Sequence, residues 1–530
     1  MMSYNIKLRD GFSKLGVVKI DGESFQTPGV IPFEKLKNLN SRVSLKLKII
    51  DERRFEVLRV KSEIFIFNTP LDNPFDFVSL LKDYLLNNKE FRVFYAPAMA
   101  TAYNIPILSY FGMDIFDTAL AELAAELGIF MTESGNINAS KIKENFCHCS
   151  ICEKEGEEVL KNRELLKEHN INLMMSRAKL TRELIRRGEL RNFIESEVKH
   201  STFYTAALRL FDGCWDKEHP FQRFKKSKAI FCSQESFSRS EVLYFLKRVE
   251  EVYEPKTKVA LVLPCSAKKP YLLSKTHSKI RQKLKGINKS VNEIIISSPL
   301  VTPREFELCY PACNYDVAVT GSWGEDEVEF VSKKLVSLLK NFEIVGGYVS
   351  GGYRKVFERA CKMAGIDGII LDDLEEVKKF VEKMGEKHFD LYLEMFKAVS
   401  NYQFGCDILS WIDSRKNKVK VKGKYPEIEL FCGKNRVARF DVSRGMIDIY
   451  IPDFFKKTEY KVEIEDFKPK GTIFAAGVKK ADFSIKPGDL VGFFGENWKG
   501  VGIARISGRE MEDLNEGYAI DVKRVEKNLS

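Results

Sequence analysis

The residues best suited to chemistry lie in one run, Pro264-Cys265-Ser266-Ala267-Lys268-Lys269-Pro270-Tyr271, with Ser274 and His277 just downstream. A cysteine attacks as its thiolate, and neighbouring cations such as Lys268 and Lys269 favour that form. Cys265 therefore reads as a nucleophile, as a metal ligand, or as a small buried residue at a turn. A polar, turn-forming run fills a core poorly, which favours a functional segment. His277 and Asp316 are groups able to relay protons there. In a second reading the segment only grips substrate, with Ser266 and Lys269 holding a carboxylate or phosphate. A separate concentration of ligand-type residues, Cys147, Cys149, Cys152 and His169, has the spacing C-x-C-x2-C-x16-H. Three thiolates and an imidazole from the next helix make a closed tetrahedral set, which predicts a structural Zn2+ site. His148, between two ligands, is expected to point away. Cys309 and Cys313 lack further ligands and read as packing residues.

These groups need elements to hold them. From Lys258 onward, apolar runs such as "KVALVLP", "NEIIISSP", "YDVAVTG", "IVGGYVSGG" and "DGIILDD" each end in Gly, Pro or Asp. Amphipathic helices follow several of them, which predicts βα units and a mostly parallel sheet. Cys265 then falls at the C-terminal end of a strand, where α/β sites form. Gly351-Gly352, at the start of a helix, suits an anion cradle or a plain tight turn. Trp323 is either a stacking platform or core. Upstream, residues 11–33 read as two short strands joined at Asp21-Gly22. The stretch 107–135 reads as strand, turn, helix and strand, and 171–200 as a basic helical segment. A basic connector over 215–228 separates the two halves. Lys418, Lys420, Lys422 and Lys424 alternate along a candidate strand. They form either one cationic face for an RNA backbone or a lysine-guarded sheet edge.

The bulk numbers bound these readings. A chain of 530 residues should hold several domains, and 44% hydrophobic with 30% charged residues fits a soluble globular protein. The first residues lack the apolar core of a signal peptide, and no run is long enough to span a bilayer. Eleven cysteines scattered over this length fit a reducing, cytoplasmic setting. The net charge of +10 favours a polyanionic partner, although a solvated basic surface explains it equally.

The cysteine cluster, followed by His169-Asn170 and the helix "LTRELIRRGELRNFIES", resembles the zinc-bearing end of tRNA-guanine transglycosylases. "GFSKLGVVKIDGESFQTPGVIP" resembles their opening hairpin. "GMDIFD" resembles the strand carrying their nucleophile, which corresponds to Asp117 here. Too few residues separate Pro28 from Gly112 for a full set of barrel units. A D-S-G-G-F-Q-like base-recognition segment is also missing. The resemblance thus implies a reduced, inactive barrel. "FAAGV", Asp482, "IKPGDLV" and "GVGIARISGREM" resemble a PUA domain, a small RNA-binding pseudo-barrel. Lys479, Lys480, Arg505, Arg509 and Arg524 are its candidate phosphate contacts.

"PCSAKKPYLLSKTH" resembles the signature motif of archaeosine synthases, a family combining transglycosylase-like, catalytic and PUA parts. "SPLVTPREFELCYPACNYDVAVTGSWGEDE" is similar to that family's second stretch. The resemblance covers nearly the whole chain and implies an α/β multidomain architecture. A reduced TIM-barrel-like part occupies 1–215, with its zinc-binding segment at 147–200. A central α/β catalytic domain spans 225–400, a small α+β RNA-binding domain 405–465, and a PUA β-barrel 466–530.

The resemblance also implies a reaction on tRNA bearing 7-cyano-7-deazaguanine at position 15, whose nitrile becomes an amidine. The first choice of amine is L-lysine, with a radical S-adenosylmethionine partner subunit cleaving the adduct. A thiolate adds to a nitrile to give a thioimidate, and an amine can displace the thiol, without ATP. On this basis Cys265, His277, Asp316 and Lys269 are the expected catalytic groups. Ser266, Lys268, Tyr271, Ser274, Glu305, Tyr310, Gly321 and Trp323 are the expected substrate contacts. The expected partners are tRNA and lysine, no membrane, and a homodimer is compatible with the sequence. The rival functions are base exchange through Asp117 and a non-catalytic tRNA-binding subunit.

Overall fold

A computed structural model describes residues 3–20, 22–38, 47–51, 54–57, 64–66, 72–87, 93–212, 221–287, 290–386, 388–413 and 418–528. Asp21 of the expected turn, residues 215–220 of the connector and parts of 41–67, an alternating apolar and polar stretch expected to form further strands, lie outside the described residues. Near the N-terminus Ser3–Asp10, Ser13–Ile20 and Glu23–Thr27 form an antiparallel sheet. A four-stranded parallel sheet follows, in the order Gly29–Ile31, Ile115–Asp117, Val93–Ala96, Ile64–Ile66. Four parallel strands are a fragment of the expected barrel layer. Residues 107–110, expected as strand, lie in the Ile105–Tyr110 helix instead. Pro106 sits in the first turn, where its missing N–H costs nothing. Five of that helix's six residues are buried, so it carries no apolar stripe to betray its period.

The long helix Arg163–Arg187 packs across this region. Asn162 caps it by accepting from the Glu164 amide at 2.9 Å, and Gly188 ends it at a φ of +67°. Asp114, buried at the end of the parallel sheet, accepts from the Tyr4 hydroxyl at 2.8 Å and pairs with Lys14 at 2.6 Å.

The central sheet runs Val301–Pro303, Asn292–Ile296, Val259–Pro264, Ile344–Gly347, Gly368–Ile370. All pairings are parallel except that of the Val301–Pro303 edge strand. Val259–Pro264 is the middle strand and is buried from Val259 to Leu263, as a strand covered on both faces must be. The third of the expected runs departs from this plan. Tyr315–Val317 pairs with Ala229–Phe231 in a separate two-stranded sheet.

An antiparallel meander, Val419–Lys424, Glu427–Cys432, Asn435–Asp441 and Met446–Ile449, follows. A six-stranded sheet closes the chain. Buried charges tie the C-terminal sheet region back to the start of the chain. Arg9 pairs with Glu510, and Lys225 reaches Asp10 at 2.6 Å. Arg223 meets Asp489 at 3.2 Å and the Ser484 carbonyl at 3.0 Å. Among the described residues no helix is long and apolar enough to cross a membrane.

Candidate active site and metal cluster

Cys265 leaves the sheet at the end of its middle strand, where its amide still donates to the Ile296 carbonyl at 2.9 Å. Its Sγ lies 3.1 Å from the hydroxyl of Tyr353. Tyr353 projects from the first turn of the Gly351–Ala364 helix, and Trp323 packs edge-on against it at 5.0 Å between ring centres. That approach needs glycine at 352, because a Cβ there would stand 2.3 Å from the indole. The Gly352 amide donates to the Gly321 carbonyl at 3.2 Å. The glycine pair therefore holds the Trp323 loop against the helix.

Lys269 completes the group. Its Nζ is buried without a hydrogen-bond partner and sits 4.0 Å from the centre of the Tyr315 ring. Burial pushes this ammonium down from its ordinary value, while the Cys265 and Asp316 charges act in the opposite direction. Burial likewise pushes the Tyr353 phenol up, and the Cys265 thiolate adds to this, so the phenol keeps its proton. Tyr315 donates to Ser297 Oγ and lies 2.6 Å, hydroxyl to hydroxyl, from Tyr271.

Other expected site residues go elsewhere. His277 is fully buried rather than facing the thiol. Its Nε2 donates to the Pro264 carbonyl at 3.0 Å, and its Nδ1 accepts from Arg304 at 2.9 Å. Burial and that guanidinium push it down to about 3. Both ring nitrogens are thus engaged and the ring stays neutral, so the arrangement gives it no proton to relay. Ser274 caps the Lys275–Lys283 helix by accepting from the His277 amide at 3.1 Å. Asp316 is exposed and pairs with Lys228 at 3.5 Å, at the edge of the site where its charge still acts on Lys269.

Tyr310 faces Glu241, Arg239 and Asp10, and its amide donates to Gly445 O at 3.0 Å. Glu305 lines a cavity on the far side of the Arg304 network. Lys268 points to solvent, and its carbonyl accepts from the Ser266 hydroxyl at 3.1 Å. Tyr353 was missed by sequence reasoning. Its only signal was the Gly351-Gly352 pair just before it.

The ligand atoms of Cys147, Cys149, Cys152 and His169 all lie within 4.8 Å of one another. His169 Nδ1 is 3.4 Å from Cys149 Sγ and 3.3 Å from Cys152 Sγ. Its Nε2 donates to the Met131 carbonyl at 3.0 Å, which leaves Nδ1 as the lone-pair donor toward the thiols. Phe130 stacks on the ring at 3.8 Å, while His148 is exposed. The donor set, the fixed tautomer and the convergence fit a tetrahedral metal site.

Asp117 is buried and fully engaged. Oδ2 accepts from Tyr95 at 2.5 Å and from the Ala98 amide at 2.9 Å, and Oδ1 from the Ala119 amide at 2.8 Å. On the C-terminal side, Lys418, Lys420, Lys422 and Lys424 are exposed, the last three on the edge strand of the meander. Lys422 lies over Phe431 at 4.4 Å. Lys479 and Lys480 are exposed, Lys479 pairing with Glu465 at 3.2 Å. Arg505 pairs with Asp521, Arg509 with Asp513 at 3.9 Å, and Arg524 with Glu526 at 3.6 Å.

A transglycosylase-like half, a cysteine at the end of an α/β strand and a C-terminal β unit define a multidomain protein of the transglycosylase-related class. Family models match in that order. They are queuine tRNA-ribosyltransferase at residues 46–202, a domain of unknown function at 242–381, a pre-PUA domain at 389–454 and a PUA domain at 460–525. The α subunit of archaeosine synthase from Methanosarcina acetivorans is 34% identical, over 88% of this chain and 80% of its own. Archaeosine synthase from Haloferax volcanii is 29% identical, over 81% and 76%. A crystallised protein of unknown function is 41% identical over 53% of this chain and 99% of its own, with a TM-score of 0.46. The chain belongs to the archaeosine synthase α-subunit family.

The metal cluster yields a direct expectation. The purified protein carries one metal ion per chain by elemental analysis, and Cys152→Ser loses it. A metal-free wild type that melts at the same temperature as the loaded protein would contradict the assignment.

Proposed function

We propose that this chain modifies tRNA on the way to archaeosine, adding L-lysine to the nitrile of 7-cyano-7-deazaguanine at position 15. The observation that carries the reading is Cys265 at the strand end, 3.1 Å from Tyr353 and beside the buried, unpartnered ammonium of Lys269. Membership of the archaeosine synthase family and the PUA match support the tRNA substrate.

The steps balance without ATP or a redox partner. The Cys265 sulfur bonds to the nitrile carbon, and the thiol proton ends on the nitrile nitrogen, giving a thioimidate. Tyr353, hydrogen-bonded to sulfur, is positioned to relay that proton. Lys269 offsets the negative charge on sulfur before attack. A neutral amine of lysine then adds to the same carbon, the carbon–sulfur bond breaks, and the proton lost by the amine returns to sulfur. The product is an amidine, which a radical S-adenosylmethionine partner subunit would cleave. Trp323, edge-on to Tyr353, offers its face to the deazaguanine. His277 and Ser274 are positioning residues here. The Cys3His cluster holds Zn2+ as a structural ion. Lys420 and Lys422 supply phosphate contacts from one face of their strand.

Nitrile-bearing tRNA incubated with the protein and L-lysine should give a nucleoside heavier by one lysine, read by mass spectrometry after digestion. Cys265→Ala should give none; an adduct surviving that substitution would sink covalent catalysis. Tyr353→Phe should lower the single-turnover rate by ~10²–10⁴-fold with tRNA affinity unchanged. An unchanged rate removes Tyr353 from the proton path. Replacing both Lys420 and Lys422 by alanine should weaken tRNA binding and reduce its logarithmic salt slope by about 2, one per lost phosphate contact. An unaltered slope would leave these lysines as edge guards.

A further inference from the structure

Between the Lys275–Lys283 helix, the Arg304–Phe306 turn and the Leu391–Phe404 helix lies a cavity of about 140 Å³. Its apolar wall includes Val291, Leu391 and Met395, and Cys265 is not among its lining residues. Most of its charges are satisfied. Arg304 pairs with Glu293, with Glu307 at 3.2 Å and with His277 at 2.9 Å. Glu305 Oε1 accepts from Asn292 Nδ2 at 2.8 Å.

Two opposite groups are left over. Glu305, 3% exposed, has its Oε2 buried with no hydrogen-bond partner, and Arg281 Nη1 is buried with none either. The two residues do not pair with each other. Arg281 instead donates through Nη2 to the Leu272 carbonyl. Burying an acceptor and a donor unpaired is costly, and a protein that lines one cavity with both leaves room for a ligand that answers each.

We propose that this cavity binds a small α-amino acid as its zwitterion, the ammonium on Glu305 and the carboxylate on Arg281. The short side chain rests on Val291, Leu391 and Met395. A guanidinium with one free N–H edge suits a carboxylate, and a carboxylate oxygen with no donor suits an ammonium. The size sets the class. An apolar cavity of ~150 Å³ accommodates a benzene ring, so this one suits an amino acid with a few side-chain carbons. The site is separate from the thiol but mechanically joined to it, because Arg304 on its wall holds His277, which holds the Pro264 carbonyl. It does not depend on which amine reacts at Cys265.

The test is calorimetric titration of the full-length protein, without tRNA, by L-alanine and L-valine, and by N-acetyl-L-alanine and L-alanine methyl ester. The free amino acids should bind one per chain, and each blocked form at least ~10-fold more weakly, since each loses one charge-assisted contact. Glu305→Gln and Arg281→Gln should each weaken binding ~10–100-fold, while Cys265→Ala binds as the wild type does. The blocked-ligand series needs no variant and stands even where a substitution unfolds the chain. No binding of either free amino acid to the wild type overturns the proposal. So do blocked forms that bind equally well, or binding lost in Cys265→Ala and kept in Glu305→Gln.

Discussion

The reactive segment depends on one buried guanidinium. Arg304 is fully enclosed by Glu293 and Glu307, and it donates to His277 as well. Two of these partners in turn grip the chain on either side of Cys265. Glu307 accepts from the Leu272 amide at 2.9 Å, and His277 donates to the Pro264 carbonyl at 3.0 Å. The residues on both sides of the cysteine loop are thereby tied to one charge. Such a network is worth having only if every member is satisfied, because a buried guanidinium stripped of a partner is expensive. The charges on Glu293 and Glu307 oppose the burial that would otherwise drive protons off Arg304, whose guanidinium is held above its usual value. Burial and the same charge keep a second proton off His277. A histidine that reads as a catalytic acid–base is thus converted into a fixed neutral spacer.

With Arg304 satisfied, the groups that face the thiol are less well compensated. Lys269 has no hydrogen-bond acceptor at its buried Nζ and leans on the π-face of Tyr315. A weakly compensated ammonium is drawn to any anion that forms nearby, and a thiolate at Cys265 is the nearest candidate. The loss of hydration is an unfavourable cost to the resting protein and a gain once sulfur carries charge. Tyr353 faces the opposite demand: burial and the thiolate both discourage its ionisation, so it stays a donor.

How much of this was legible in the sequence follows from how local each signal is. Cys147, Cys149, Cys152 and His169 sit within one loop and the helix after it, so spacing alone brought out the set and preferred His169 over His148. Cys265 at a strand end was legible because a continuous apolar run ending at Pro264 has few other uses. Ser274 carried a local signal too, a serine at the start of a helix, yet it was read as a substrate contact when its oxygen caps the helix. The long-range pairings left no trace. Tyr353 reaches Cys265 across 88 residues, and nothing in the sequence of its amphipathic helix marks this tyrosine as a partner of the thiol. Glu305 and Tyr310 lie beside motif residues in sequence, but the turn after Pro303 sends one toward the Arg281 cavity and the other toward Arg239. Tyr315–Val317 has the composition of a central strand, and its exclusion from that sheet is decided by the partner strand Ala229–Phe231.

The N-terminal half carries the same logic in reverse. A nucleophilic carboxylate needs an oxygen aimed at open space, and Asp117 is buried with a donor on each oxygen. Tyr95, Ala98 and Ala119 take up both oxygens, and burial raises the carboxyl above its ordinary value. Asp114, three residues earlier, is neutralised by Lys14 and Tyr4. The strand that resembles a transglycosylase catalytic strand has become a set of fastenings for the N-terminal sheets. The four parallel strands among the described residues do not by themselves close a barrel, since about eight are needed to fill such an interior with side chains. What this half retains is its cysteine–histidine cluster and the long helix carrying His169. The buried pairs Arg9–Glu510 and Lys225–Asp10 couple it to the C-terminal Gly508–Asp513 helix and the connector. Under the function proposed above, this half needs neither a free Asp117 nor a closed barrel, because the reacting thiol lies in the central sheet, on a segment tied to Arg304 through His277 and Glu307.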